Sequence, residues 1–367
     1  MNTADILRIR LRAQQIERSE AATPRGVVSH LLAVQAQDYA AATWAIGLRL
    51  PGSTLLDVER AIANREIVRS WPMRGTLHFV AAEDARWMLS LLTPRILARA
   101  AKRERDLGLD AAVFARAREL FGAALTGDRR LKRPDAMALL EAGGIHTTGQ
   151  RGYHILWRLA QEGLLVVGPM QDRQQTFALL DEWVPAARSA YDSAAPREEL
   201  LAHLAKQYFA GHGPATVADL ARWAGIPKAE AGAAATAASA GLESAEHDGE
   251  RYWFDPRAAD ASKILGSGLV RLLPGFDEYM LGYTGRSHQL GEHAQAYGSR
   301  VASNGMLAAT IVVDGRAVGV WKRTLSARAV SFAVTEFRSL VPAERLGLAA
   351  EEARYAAFMG RGVSGGA

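Results

Sequence analysis

Residues 66–81 read EIVRSWPMRGTLHFVA. EIVRSWPM and GTLHFVA are two strand-forming runs joined tightly at Arg74-Gly75, so the stretch reads as a β-hairpin. Upstream, Pro24 opens a helix through GVVSHLLAV, and a second helix covers about 39–48. Thr54 and Asp57 make a capping-box-like start to a third, with Leu55, Val58 and Ile62 on one face.

This order recurs twice with little sequence identity. In residues 114–184, Pro134 sits at the first turn of a helix that ends at Gly143-Gly144. Thr147 or Thr148 is predicted to cap the next helix, which carries Ile155, Leu156 and Leu159 and stops at Gly163; LLVVGPM and TFALLDEW follow as strands around QDRQQ. In residues 197–256, Leu200, Leu201, Leu204 and Tyr208 mark a helix broken by Gly211-His212-Gly213-Pro214. Thr216 and Asp219 cap the next, Pro227 starts a third, and GLESAEH and RYWFDP pair around Asp248-Gly249, a favoured two-residue turn. Units of this kind are winged helices, a helix-turn-helix variant. Three in tandem point to nucleic acid, with at least one copy expected only to support the others.

From 264 onward, apolar and polar residues alternate with glycine punctuation and a tight turn at Asp314-Gly315. A helix over 343–359 closes this region, and the Gly/Ala-rich tail after Met359 is expected to fray. The predicted fold class is α+β: three tandem winged-helix (helix-turn-helix plus wing) units, then a small antiparallel β-barrel-like C-terminal region. The predicted domains are 1–85 (N-terminal helix and first winged helix), 86–190 (basic helical linker and second winged helix), 191–260 (third winged helix) and 261–367 (C-terminal barrel or sheet with its helix).

The 367 residues are 49% hydrophobic and 23% charged, which excludes a wholly disordered chain. No apolar run is long enough for a transmembrane helix, and the charged N-terminus has no apolar signal core. The absence of cysteine excludes disulfides, thiolate zinc sites, iron–sulfur clusters and cysteine nucleophiles. A cytoplasmic protein is expected. The net charge of +5 is uneven: residues 86–133 hold twelve Lys/Arg against five acidic residues, a net +7. Such a strip is either a solvated helix face or a track for a phosphate backbone.

In LLAVQAQDYAAATWAIGLR (31–49), Gln35 and Gln37 stand one residue apart. On extended backbone their amides share a side; on a continuous helix they would splay by roughly 200°. An amide pair that caps or bridges the helix turn is the plainer alternative. Asp38 is read as the cap of the helix from Tyr39, with a carboxylate on a water as the other possibility. Arg74 is predicted to project from the first hairpin tip, with His78 on the strand behind it. Arg173, Gln174 and Gln175 occupy the second tip, and Lys322 and Arg323 belong to the C-terminal strands. Trp44, Trp71, Trp157 and Trp223 read as packing residues, with a base-stacking platform as the alternative for Trp71 beside the hairpin. His288, Glu292 and His293 do not match the HExxH pattern, and no metal is expected.

VQAQDYAAATWAIGLR, SWPMRGTLHFV, GHGPATVADLARWAGI and LLPGFDEYMLGY together resemble the winged-helix DNA glycosylase superfamily of AlkZ and YcaQ. The resemblance runs from about residue 5 to 360, in the same motif order. It implies Gln-x-Gln catalysis at Gln35 and Gln37, in the manner of the AlkZ branch rather than the Gln-x-Asp branch. It turns Arg74 and His78, otherwise a solvated wing residue and a packed strand residue, toward substrate or a phosphate. Apart from the resemblance, the polar tip at Arg173 and Gln174 either enters a DNA groove or is merely solvated, and Lys322 and Arg323 flank a strand that could meet the far side of a bent duplex. The implied activity is that of a monofunctional DNA glycosylase for N7-alkylated purines, bulky or crosslinked adducts included, in DNA repair or antibiotic self-resistance. It would act without cofactor, as a monomer, on double-stranded DNA and not at a membrane. The alternative is a non-enzymatic winged-helix DNA-binding transcriptional regulator, which would usually dimerise. A third reading is an inactive relative kept as a scaffold.

Overall fold

The computed structural model describes residues 1–192, 195–260, 268–300 and 307–364. The start of the expected C-terminal region, 261–267, Met306 and the last three residues of the tail fall outside these. The chain is a mixed α and β protein that divides into two compact units. The first is Met1–Val58 with Leu201–Ala367, and the second is Glu59–Leu200.

The first unit opens with α1 (Thr3–Ala13), α2 (Pro24–Leu31), β1 (Val34–Gln35) and α3 (Tyr39–Leu48), and the boundary falls within α4 (Leu55–Ala63). The second unit holds β2 (Ile67–Met73), β3 (Thr76–Ala81), α5 (Ala85–Asp106), α6 (Ala111–Leu125), β4 (Leu131–Lys132), α7 (Arg133–Ala142), α8 (Arg151–Gln161), β5 (Leu165–Gln171), β6 (Gln174–Leu179) and α9 (Leu180–Trp183). The chain returns to the first unit within α10 (Arg197–His212) and continues with α11 (Val217–Ala224), α12 (Lys228–Ala237), β7 (Glu243–His247), β8 (Glu250–Phe254) and α13 (Pro256–Ala259). Next come β9 (Val270–Leu273), α14 (Glu278–Leu281), α15 (Ser287–Leu290), α16 (Ala294–Gly298), β10 (Thr310–Val313), β11 (Arg316–Leu325), β12 (Ala329–Glu336), α17 (Pro342–Phe358) and β13 (Gly362–Val363).

All three predicted hairpins form. In the second unit the strands of two of them, joined by β4, lie in the order β3-β2-β5-β6-β4, and the third, β7–β8, stands apart in the first unit. Both β2 and β5 carry a proline, and the register slips there, between Ser70 and Met73 and between Val167 and Met170. Pro72 and Pro169 cannot donate to a ladder, so each strand bulges where its proline sits. Trp71, Phe114, Phe121, Leu140, Ile155, Leu159 and Phe177 form the apolar core of this unit. Each such side chain contributes about 1.5–3 kcal/mol of burial.

Trp44, Trp71, Trp157 and Trp223 are all buried, as predicted. The predicted Thr147 or Thr148 cap does not form. Thr147 Oγ1 donates to Glu141 Oε1 instead, and α8 begins only after Gln150, whose φ is +74°.

All twelve cations of the 86–133 strip belong to the second unit; Arg86 and Lys132 are half-buried and the other ten exposed. Arg95, Arg99, Lys102 and Arg103 share one face of α5, at helical spacing.

In the first unit the C-terminal strands run β13-β12-β11-β10-β9. β9 to β12 are antiparallel, but β13 joins β12 in parallel, because α17 carries the chain back in a crossover. The tail is therefore tied at Gly362–Val363 rather than frayed from Met359, with Ser364 N–H donating to Val330 O at 2.9 Å. Among the described residues no helix is long and apolar enough to cross a membrane.

Of the three residues weighed for a metal, His293 faces Phe337 and Glu292 is exposed, while His288 is half-buried against His247 and Tyr252. His288 Nε2 lies 3.1 Å from Tyr252 Oη, and burial with the nearby Arg10 charge holds its pKa down at about 4. Burial also lowers His30, whose Nε2–H donates to Ala13 O at 2.5 Å. A folded-state pKa below the unfolded value of about 6.5 means that the unfolded chain takes up the proton first as pH falls. The stability these groups contribute is thus complete above about pH 6.5 and is lost as pH falls toward their folded pKa values. The denaturation midpoint should drop between pH 7 and pH 4.5, and His288→Gln should make that drop shallower. Parallel titrations of parent and variant would contradict this.

Candidate active site

The Gln35–Gln37 segment is kept out of helix by the residues around it. Predicted to run through Val34, α2 instead stops at Leu31, because Leu32 adopts φ +64°, ψ −41° and Ala33 N–H closes back on Leu31 O at 2.8 Å. This γ-turn has the rarer, strained hand, a conformation that persists where the surroundings impose it. One element imposing it is α10. A Cβ at Gly211 would sit 2.6 Å from His30 O, so glycine lets the two backbones touch directly behind the turn.

Beyond the turn the chain runs extended through Val34 and Gln35 and bends at Gln37 and Asp38. Gln35 is 8% exposed, Ala36 is fully buried and Gln37 is exposed. Asp38 is the N-cap of α3, its carboxylate accepting from Ala41 N–H at 3.1 Å. α3 is apolar nearly all round and buried along most of its length, as such a helix must be. Trp44 Nε1–H donates to Leu272 O at 2.8 Å, and Gly47 leaves room for Phe358 of α17, whose ring a Cβ would meet at 2.4 Å. The exposed end of the Gln segment is therefore mounted on a rigid helix.

Its buried end is held by the FDEY stretch. Glu278 is fully buried, and its Oε1 accepts the Gln35 backbone N–H at 2.9 Å. Its Oε2 accepts Trp223 Nε1–H at 2.9 Å and lies 3.5 Å from His212 Nε2, on a ring stacked against Tyr208. Asp277 alongside binds Arg49 through two 2.8 Å contacts, with both side chains fully buried. Arg49 also donates to Gln14 Oε1, Gln14 donates to Tyr283 Oη, and Tyr283 donates to His212 O. Burial raises the Tyr208, Tyr279 and Tyr283 phenols, Tyr283 to about 12, so all three remain neutral donors. The sequence reading used FDEY as a motif and missed this role; a carboxylate pair within an otherwise apolar LLPGFDEYML run was the available signal.

Arg323 lies on the Trp321 side of β11, its guanidinium 5.4 Å from the Tyr355 ring centre. Tyr355 is raised chiefly by burial, with Arg323 and Asp38 both acting on it electrostatically, so those two residues lie around one phenol. Lys322, adjacent on the strand, points to the other face and is exposed.

In the second unit Arg74 does not project. Its φ of +54° and Gly75's +71° make the two-residue turn, but Arg74 folds back so that Nη2 donates to His78 Nε2 at 3.0 Å. His78 is fully buried, and its Nδ1 lies 2.9 Å from Thr76 O. Trp157 Nε1–H donates to Gly75 O at 3.0 Å and pins this tip to α8. The second tip is open: Asp172, Arg173 and Gln174 are exposed, with Lys132 Nζ 2.7 Å from Asp172.

A protein of this fold, with an exposed basic helix face in one unit and a backbone-anchored amide pair in the other, suits chemistry on a nucleic acid. The profile of the family described as DNA glycosylase AlkZ-like matches residues 28–358, and the chain belongs to that family. It is 28% identical over 333 residues to the interstrand DNA cross-link repair glycosylase of Streptomyces sahachiroi, covering 85% of each chain. The solved Streptomyces sahachiroi DNA glycosylase AlkZ has the same fold: TM-score 0.79, 24% identity, 99% of this chain and 98% of that one. The chain is thus a DNA glycosylase, a hydrolase of N-glycosyl bonds.

Asp38→Ala should destabilise the protein by about 1 kcal/mol, the usual value of such a cap. Thermal or urea unfolding measures it. A variant as stable as the parent would show that the carboxylate does not serve the helix.

Proposed function

We propose that this glycosylase removes N7-alkylated purines from double-stranded DNA, with the Gln35 and Gln37 amides orienting the attacking water. The observation that carries this reading is the extended, turn-bounded Gln35–Gln37 segment, whose first backbone N–H is fixed from within the core while Gln37 faces solvent. Alkylation at N7 makes the purine cationic. The C1′–N9 bond breaks with its electron pair going to the base, which leaves neutral and needs little acid assistance. The sugar becomes oxocarbenium-like, as in glycoside hydrolysis. Water adds at C1′ and releases its proton to solvent. An amide carbonyl accepts and an NH2 donates, so two amides can hold one water in place. Neither is a true base near neutral pH.

The relative's name extends the expected substrates to crosslinked purines. The helix–hairpin repeats are read as three winged helices over residues 1–260, and the C-terminal strands as a barrel-like fourth part. Arg173, Gln174, Lys322 and Arg323, with the α5 strip, contact DNA in this reading. Arg74 and His78 act as a linked pair beside it. The enzyme works as a monomer, in the cytoplasm.

Gln37→Ala and Gln35→Ala should stay folded, bind damaged DNA within a few-fold of the parent and release base at least ten-fold more slowly in single turnover. That is about 1.4 kcal/mol or more of transition-state stabilisation. Gln37→Asp should retain more activity than Gln37→Ala on a methyl adduct, because it keeps an acceptor. If the pair only bridges structure, the pattern reverses: stability falls by about 1–3 kcal/mol and the rate per folded molecule holds.

Binding should be electrostatic. The log of affinity should fall against log salt with a slope of about −0.9 per phosphate neutralised, and Arg99→Ala and Lys102→Ala should each make it shallower by about that amount. An unchanged slope in both variants would move the DNA track off α5.

A further inference from the structure

We infer that Glu278 is a positioning residue for base release: its carboxylate holds the Gln35 backbone N–H and so sets where the amide pair points. The inference rests on Gln35 and Gln37 being the water-orienting pair. Glu278 itself is fully buried and does not reach substrate. Its geometry is specific. Oε1 accepts from Gln35 N–H at 2.9 Å, and Oε2 accepts from the indole of Trp223 at 2.9 Å. Two donors from distant parts of the chain thus converge on one carboxylate, with each oxygen assigned.

The anchoring differs from ordinary core packing because of where it acts. Gln35 lies three residues after the strained Leu32 turn, in a segment of only a few residues between α2 and α3. Extended backbone satisfies its amides by pairing or from side chains. At Gln35 the partner is this carboxylate. Asp277, next to it, is locked to Arg49 by two contacts, so the backbone that carries Glu278 is itself fixed. A displacement of about 1 Å at a reacting group set costs about a hundred-fold in rate, so a single hydrogen bond at this point has kinetic reach.

An amide in place of the carboxylate tests the idea. Glu278→Gln fills the same volume but has one carbonyl oxygen for two donors. Its NH2 must then face either the indole N–H or the Gln35 N–H. Trp223→Phe removes the competing donor and frees the carbonyl for Gln35. The measurement is single-turnover base release from DNA carrying N7-methylguanine, corrected for folded fraction, beside amide hydrogen exchange over residues 33–38.

Glu278→Gln should slow release ten-fold or more and raise exchange in that segment, with damaged-DNA binding within a few-fold of the parent. Adding Trp223→Phe should restore at least three-fold of the lost rate, although it removes further core packing. A parental rate in Glu278→Gln, or no recovery in the double variant, would overturn the inference. If Glu278→Gln does not fold, Glu278→Asp serves: it keeps the charge but withdraws the carboxylate by one methylene, and a parental rate there would likewise overturn it. Failure of the underlying reading is read separately, because it shows as unchanged rates in Gln35→Ala and Gln37→Ala whatever Glu278 does.

Discussion

A carboxylate with no access to solvent fixes the backbone of the segment proposed to orient the attacking water. Glu278 receives Gln35 N–H on one oxygen and the Trp223 indole on the other, and Asp277 beside it receives Arg49. Burying such groups costs several kcal/mol each unless their hydrogen bonds are made, and removing one partner of a buried pair costs about 3–5 kcal/mol. The surrounding fold is arranged to make those bonds: Arg49, just past α3, binds Asp277 and is itself held by Gln14, just past α1, and Trp223 of α11 binds Glu278, while His212 and Tyr208 of α10 pack beside them. The first unit is thus assembled around a polar centre, and the short Gln segment hangs from it.

Rigidity suits the proposed chemistry. A cationic purine departs with little help, so what remains for the protein is to place a water at C1′ and to hold the duplex. Amides are adequate for the first task only if they do not wander, and a strained turn, a helix cap and a buried carboxylate immobilise the few residues between Leu31 and Tyr39. In the proposed reading the second task falls to exposed cations, which need no such support. Arg99 and Lys102 stand on the outer face of α5, and Arg173 at an open hairpin tip.

Much of this was legible in the sequence because local rules governed it. Thr54 with Asp57 and Thr216 with Asp219 do cap their helices, and Asp248-Gly249 and Asp314-Gly315 do make their turns with both residues at positive φ. The Gln spacing and the Asp38 cap could likewise be read directly. What escaped depended on side-chain partners and strand pairings that periodicity does not report. Thr147 offered a plausible cap, but Glu141 claims its hydroxyl. Arg74 was expected to project, yet His78 and the indole over Gly75 draw the tip inward. β13 depends on a parallel partner across the whole of α17. Glu278 meets Gln35 across 243 residues, a distance no periodicity reports.

In the proposed chemistry an already charged base is released by a positioned water without a general acid. This is tested most directly by single-turnover release of two bases from otherwise identical duplexes, N7-methylguanine, which is cationic, and hypoxanthine, which is neutral. The methylated base should be released, and hypoxanthine should not be released above the uncatalysed background. Comparable rates for the two would contradict the proposed chemistry, because a neutral purine cannot leave at that rate unless the protein supplies a proton.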